Sequence, residues 1–276
     1  LIGLRRVPFD EDEAWASIAS VHDPAYVDAV RTGQPEGLAR SQGFTWSPRF
    51  ADSLARIWAG HLAACRLALT EPMVLHPVSG AHHANYASGS GFCTFNFLVG
   101  GAVALLRLGL QRVAIIDLDA HPGDGTYRLS RGLEGIALFD IAGGSWVNVA
   151  NTASVEYHVV RDAAGYRDAL NLLPAFLDRV RPALVQYQAG MDPFEGDPVG
   201  GIDGITEAFL TERDRIVIEQ VRSRGIPIVV NLAGGYVRGV SEQLHVGTVR
   251  AMASRLAAGR PGTGATARRS PGSAKR

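Results

Sequence analysis

"RVAIIDLDAHPGDGT", residues 112–126, changes character halfway along. Val113, Ala114, Ile115 and Ile116 form an unbroken apolar run, and then Asp117, Asp119, His121 and Asp124 fall within eight positions. The run fits a strand buried on both faces, as in a parallel sheet. Acids gathered at its end are costly, because a buried unpaired charge loses free energy or titrates to neutrality. Something must pair with them.

Working outward, further short β-branched runs are strand candidates: "PMVLH" (72–76), "GIALFDI" (135–141), "VEYHVV" (155–160), "ALVQYQA" (183–189) and "IPIVVNL" (226–232). Helical patterns separate the runs, near 49–69, 95–108, 166–180, 206–224 and 238–257. Strands alternating with helices imply βαβ units: an α/β protein whose mostly parallel sheet is flanked by helices on both faces. With 276 residues, 46% of them hydrophobic, the chain can fill one large single domain. No internal repeat is visible. Residues 258–276 are rich in Gly, Ala, Ser, Pro and Arg with nothing to bury, so a disordered basic tail is expected there.

Twenty-seven basic and 27 acidic residues balance, which gives no electrostatic case for nucleic acid or a membrane surface as the main partner. Cys65 and Cys93 lie far apart and form no metal-ligand pair by spacing, so a cytoplasmic, reducing location is expected. No apolar run approaches the roughly 18 residues of a spanning helix. "LIGLRRVPFDEDEAW" at the start has neither the apolar core and cleavage site of a signal peptide nor an initiating methionine, so it reads as trimmed.

Ligands of open parallel sheets bind beyond the carboxyl ends of the strands. Asp119, His121 and Asp124 follow the run at 112–118, and "GMDPFEGDPVGG", with Gly190 and Asp192, follows 183–189. "AGGY", with Tyr236, follows 226–232, and "PVSGAHHANY", with His82 and His83, follows 72–76. Four connections therefore bring carboxylates, imidazoles and a phenol to one sheet edge. Two carboxylates and an imidazole suit a borderline divalent ion such as Zn²⁺ in an open site. Asp119 and His121, two apart on extended chain, would point the same way, and Asp192 could complete the set. Three ligands leave room for a water whose pKa the metal lowers to about 7. His82, His83 and Tyr236 are then candidates for the base and for the donor to an oxyanion.

Each signal taken singly has a plainer reading. An Asp-x-Asp after a strand is commonly a cap or turn acid. Paired histidines are commonly surface or core residues, and Gly-Gly-Tyr is commonly a turn with a packed ring. These readings would all have to hold together at corresponding strand ends.

With those residues in view, the chain resembles the histone deacetylase superfamily, with its acetylpolyamine and acetoin-utilisation relatives. "SGAHHA", "GSGFCTFN", "IIDLDAHPGDGT", "QAGMDPFEGDPVGG" and "NLAGGY" match in order and spacing, with weaker likeness in "SVHDPAYVDAV" and "LHVGTVRAMA", over about residues 17–256. The resemblance implies a single-domain arginase/deacetylase-type fold with about eight strands, residues 1–257 forming the catalytic domain. It implies one Zn²⁺ on Asp119, His121 and Asp192, with His83 the main general base and acid and His82 its electrostatic partner. Asp117 and Asp124 would orient the two imidazoles, Tyr236 would polarise the substrate carbonyl, and Gly91 and Phe92 would line a tunnel for an acyl-lysine-like chain. A structural K⁺ ion is also implied.

Several positions depart from the family pattern. An amino-terminal strand with a His-Pro-Glu-Arg-like segment is missing ahead of the matched region, which puts one wall of the site and stability in question. "DIAGGSW" (140–146) replaces a Ser-Ile-His-like run that supplies a second aromatic wall and part of the potassium site, which leaves the source of that wall open, Trp146 being one candidate. Pro122 and Phe97 replace a His or Gln and an Asn. The expected activity is hydrolysis of an acetyl or other small acyl amide on lysine, a polyamine or a small amine. The alternative is an inactive acyl-lysine binder. An arginase-like hydrolase would require a second metal and more paired acids.

Overall fold

The stretch at 112–126 does begin as a strand, Val113–Asp117 (β2), buried along its whole length. Its side chains alternate between faces: Ala114 and Ile116 join one core, Val113 and Ile115 another. That two-sided burial is why the sequence shows an unbroken apolar run rather than alternation. The structure is a computed structural model describing residues 8–258. The tail expected at 258–276 lies, but for its first residue, outside the described residues.

The element order is α1 (Glu11–Ala19), α2 (Pro24–Thr32), α3 (Glu36–Ala39), α4 (Pro48–Leu67), β1 (Met73–His76), α5 (Phe97–Arg107), β2, α6 (Asp124–Ser130), β3 (Ile136–Ala142), β4 (Val155–Val159), α7 (Ala163–Leu170), α8 (Leu173–Val180), β5 (Leu184–Ala189), α9 (Glu207–Ser223), β6 (Ile228–Leu232) and α10 (Val240–Ala258). Among the described residues the strands form one six-stranded sheet, β1-β6-β5-β2-β3-β4, with every pairing parallel. The count of about eight implied by the resemblance is thus six here, each strand falling on one of the runs read from the sequence.

Helices α7 to α10 cover one face, where Tyr166, Phe176, Val217 and Leu244 pack on Ile116, Phe139 and Tyr187. Helices α4 and α5 cover the other through Cys65, Leu98 and Leu105. A third cluster fastens α1 and α2 to α4 around Trp15, Tyr26, Trp58 and Phe95. The helical pattern at 166–180 is two helices, because Pro174 cannot continue α7 and instead opens the first turn of α8. Helices α1, α2, α3 and α6 fall outside the five patterns; all are nine residues or shorter, too short for a clear period. Among the described residues no helix is long and apolar enough to cross a membrane.

The topology fixes where a site can be. From β2 the chain moves outward to β3 and β4, then returns to place β5 on the opposite side of β2. The connections leaving β2 and β5 therefore part, opening a crevice at their carboxyl ends, the usual ligand position in such sheets.

Candidate active site

Asp119 and His121 follow β2 and Asp192 follows β5, so the crevice receives all three. Their ligand atoms lie within 4.8 Å of one another. His121 Nδ1 is 3.1 Å from Asp119 Oδ1 and 2.9 Å from Asp192 Oδ2. Contrary to the expectation from their spacing in the sequence, Asp119 and His121 do not come together on extended chain. Strand β2 ends at Asp117, and Asp119 and His121 sit on a bend in which the His121 amide donates to Asp119 Oδ1 at 3.1 Å. The side chains converge because the chain curls round the carboxylate.

Two buried carboxylates this close repel, so burial and the charge of Asp119 push Asp192 up to about 7. Hydrogen bonds to Asp119 and Asp192 raise His121 to about 10. In the absence of a cation a proton on His121 supplies the compensating charge. The donor set fits a divalent ion in that proton's place, since His121 Nε2 is 3.3 Å from the Val199 carbonyl and can donate to it, leaving Nδ1 free as a ligand. Gly234 and Gly190 make the close packing possible. A Cβ on Gly234 would lie 2.6 Å from Asp192 Cγ and 2.7 Å from Asp119 Oδ2, and one on Gly190 would lie 2.6 Å from Asp119 Cα. Gly234 therefore serves by its lack of volume, whereas Gly235, at φ +152°, supplies the turn.

The remaining acids answer the question raised by the sequence. Asp117 Oδ2 is 2.8 Å from His82 Nδ1, and Asp124 Oδ1 is 2.7 Å from His83 Nδ1. Each imidazole thus turns Nε2 away from its acid; that of His82 lies 3.7 Å from Asp119 Oδ1. Arg128 pairs with the other oxygen of Asp124. Burial opposes charge on His82, but Asp117 and Asp119 outweigh it and raise the ring to about 10. Burial and the neighbouring His82 charge hold His83 below the ordinary histidine value. One ring is thereby kept cationic and its neighbour, 4.1 Å away between centroids, neutral and able to accept a proton.

A network behind the rings keeps them in place. Gln188 on β5 accepts from the Gly80 amide at 2.9 Å, and the Thr126 amide donates to the His82 carbonyl at 2.9 Å. Asn96 caps α5 and donates to Thr126 Oγ1 at 3.0 Å.

His83 and His121 form the floor of an open cavity of about 240 Å³, whose walls are Ser90, Gly91, Phe92, Trp146, Val199 and Tyr236. Phe92 is 55% exposed at φ +63°, so it belongs to the wall and not to the core. Gly91 lies against the His83 ring, which a Cβ there would strike. Tyr236 faces Phe92 with ring centroids 6.5 Å apart. Its phenol is raised well above the usual value by burial and by the charges of Asp119 and Asp192, which keeps it a donor. Trp146, also on the cavity wall, stands 5.9 Å from both the His83 and His121 rings.

Five of the ten residues singled out in the sequence, His83, Gly91, Phe92, His121 and Tyr236, line this cavity, and the other five, His82, Asp117, Asp119, Asp124 and Asp192, are joined to its two histidines directly or through one another. Sequence reasoning missed Asp197, Val199 and Asp140. Asp197 accepts from the amides of Val199, Gly200 and Tyr236, tying the β5 and β6 connections together. The acid in "EGDPVGG" was the available signal. Asp140 is the register partner of Asp117 on β3, and its Oδ1 is buried without a hydrogen-bond partner. Burial and the adjacent Asp117 raise its pKa well above the carboxylate range.

A parallel α/β domain with two histidine–aspartate pairs beside an Asp/His/Asp cluster defines the deacetylase type of hydrolase architecture. The sequence model described as histone deacetylase domain matches residues 9–252. The chain belongs to the histone deacetylase family. It is 29% identical over 240 residues to an uncharacterized protein of Picosynechococcus sp., covering 85% of this chain and 79% of that one. It is 31% identical over 195 residues to histone deacetylase 2 of Arabidopsis thaliana, covering 65% of this chain and 48% of the plant protein, so it spans about half of that relative's length. An acetylpolyamine aminohydrolase structure from Burkholderia pseudomallei shares the fold at TM-score 0.70 and 19% identity, covering 87% of this chain and 83% of that one.

Proposed function

We propose that the protein is a zinc-dependent amidohydrolase that removes an acetyl or other small acyl group from lysine, a polyamine or a small amine. The observation that carries the reading is geometric: His82 Nδ1 at 2.8 Å from Asp117 and His83 Nδ1 at 2.7 Å from Asp124 form two histidine–aspartate pairs beside the Asp119/His121/Asp192 cluster. A zinc ion on Asp119, His121 and Asp192 would supply Lewis-acid polarisation of a carbonyl and a more acidic water. His83 Nε2 takes the water's proton and returns it to the leaving amine, while Asp124 holds the ring's orientation. His82, charged and backed by Asp117, stabilises negative charge developing beside it. The Tyr236 hydroxyl donates to the substrate oxygen, and Phe92 with Trp146 packs on the aliphatic part of the acylated amine.

Potassium, raised by the resemblance, fits beside Asp140, whose unpartnered Oδ1 stands next to Asp117. The cytoplasm remains the proposed compartment, supported by two free, buried cysteines. Among the described residues the Asp/His/Asp group is the one cluster of its kind, which favours one divalent ion per chain over an arginase-like pair.

The test is a screen of zinc-loaded protein on acetyl-lysine peptides, acetylpolyamines and longer acyl-lysines, with Asp192→Ala alongside. Turnover that disappears with Asp192 supports the reading. Acyl-lysine binding without turnover by zinc-loaded wild type would establish the inactive binder instead. Failure to take up stoichiometric zinc would refute the metal site.

A further inference from the structure

Arg213 lies on the inward face of α9 and is 0% exposed. A guanidinium removed from water must have its charge paired and its N–H groups satisfied. The charge is met by its neighbour Asp214, whose Oδ1 accepts from Arg213 Nε at 3.0 Å and Nη2 at 2.8 Å. The same carboxylate accepts from Tyr187 at 2.6 Å and Thr248 at 2.5 Å, which fixes it between β5 and α10. That leaves Nη1, and Nη1 reaches toward the site. It donates to the Leu118 carbonyl at 3.0 Å and the Gly190 carbonyl at 2.7 Å.

Those carbonyls occupy telling positions. Leu118 immediately precedes Asp119, and Gly190 stands two residues before Asp192. The backbone ladder between β2 and β5 ends with the Leu118 amide on the Gln188 carbonyl at 3.1 Å. Past that bond, among the described residues, no backbone–backbone pair joins the two chains as they diverge; the Ala120 amide donates to Asp192 Oδ1 at 2.9 Å, which holds the acid's tip but leaves the two backbones apart. One nitrogen of Arg213 spans the gap from beneath. Tyr166 adds a donor to Leu118 at 3.3 Å but does not reach Gly190.

We infer that Arg213 is a positioning residue that sets the separation of Asp119 and Asp192, and so the affinity and geometry of the cation site. The inference rests on the proposed divalent-ion reading of those acids. The planar fork suits the task because its geometry is fixed by Asp214 while one corner engages both carbonyls. Lysine carries the same charge on a flexible stem and cannot hold Asp214 by two nitrogens and both carbonyls by a third. A role confined to core stability predicts a different outcome: lower resistance to unfolding with metal binding unchanged in the folded protein.

The experiment compares wild type, Arg213→Lys and the double variant Arg213→Met/Asp214→Leu, each shown folded by circular dichroism. The double variant removes both buried charges together, so neither is left unpaired if lysine fails to fold. Zinc affinity is measured by competition with a chromophoric chelator, and the site geometry by the visible spectrum of the Co²⁺-loaded protein. The expected result is a loss of zinc affinity on the order of tenfold or more, with a changed Co²⁺ spectrum, in either folded variant. A folded variant with wild-type zinc affinity and an unchanged Co²⁺ spectrum overturns the inference alone. Wild type that binds no zinc overturns it together with the reading on which it rests.

Discussion

Gly234→Ala puts the metal reading to a steric test without altering any ligand. A Cβ at this position would stand 2.6 Å from Asp192 Cγ and 2.7 Å from Asp119 Oδ2, whereas real Cβ atoms essentially never come under 3.0 Å. Asp192 Oδ2 lies closer still and must yield furthest, so the two carboxylates, or the backbone bearing the methyl, must move by more than the about 0.3–0.4 Å that Asp119 Oδ2 and Asp192 Cγ alone would need. Protein zinc sites tolerate only about 0.2 Å in ligand distance. Both displaced acids belong to the Asp/His/Asp cluster, so the shift acts on the site itself. The backbone bond at this residue, its carbonyl accepting from the Met191 amide, involves neither carboxylate, whereas the bond from its amide to Asp119 Oδ2 at 3.2 Å lengthens with the displaced oxygen. Overpacking of this kind costs about 1–3 kcal/mol of stability, which should leave the protein folded. Zinc affinity, measured by chelator competition, should fall about 10- to 100-fold. Gly144→Ala, where nothing lies within 4 Å, is the control and should leave affinity unchanged. Wild-type zinc affinity in folded Gly234→Ala would show that the acids can part freely, and the cluster would no longer fit a constrained metal centre.

Tyr236→Phe keeps the ring against Phe92 and removes only the donor, so kcat should fall on the order of 10²–10³ with zinc content unchanged; a wild-type rate would make Tyr236 a wall residue and nothing more. Phe92→Ala should raise KM with little change in Tm, because the ring is 55% exposed; a core-sized destabilisation of about 3–5 kcal/mol would contradict its place on the wall. His22 accepts from the Asn96 amide through Nε2 at 3.0 Å and is pushed down to about 4 by burial, so protonation would cost it that acceptor. Its folded pKa lies below the unfolded 6.5, so its contribution is complete above pH 6.5 and is lost as pH falls toward 4, by about 3 kcal/mol. Urea midpoints of wild type and His22→Gln across that window should show a shallower decline in the variant; parallel declines would count against a buried neutral His22.

The central strands were legible because two-sided burial leaves an unbroken apolar run, as in "IPIVV" and "VAII", whereas the half-buried β4, "VEYHV", showed only through its β-branched and aromatic residues. The site was legible for a related reason. Charged and polar residues that interrupt such runs at their carboxyl ends have one place to go in a parallel sheet, and the strand order sends Asp119 and Asp192 to adjacent sides of the same crevice. The curl at Asp119 was not legible, since it depends on a side-chain acceptor for the His121 amide and not on apolar periodicity. Nor was the packing role of Gly234 legible, because it arises from carboxylates brought in by two other strands.

Arg213 lies between these cases. In "TERDRIVIEQV" it reads as one of several helix charges, yet it follows Phe209 and Leu210 and precedes Val217 at helical spacing, on the stripe that packs against the sheet. An arginine–aspartate pair interrupting an apolar stripe is as costly as the acids at the end of β2, and it calls for the same question about partners. The partners here are Tyr187, Thr248 and two strand-end carbonyls, none of which is near Arg213 in sequence. The sequence can therefore show that a buried charge on α9 requires an explanation, but only the sheet topology shows that meeting its requirement also joins the two chains carrying the proposed metal ligands.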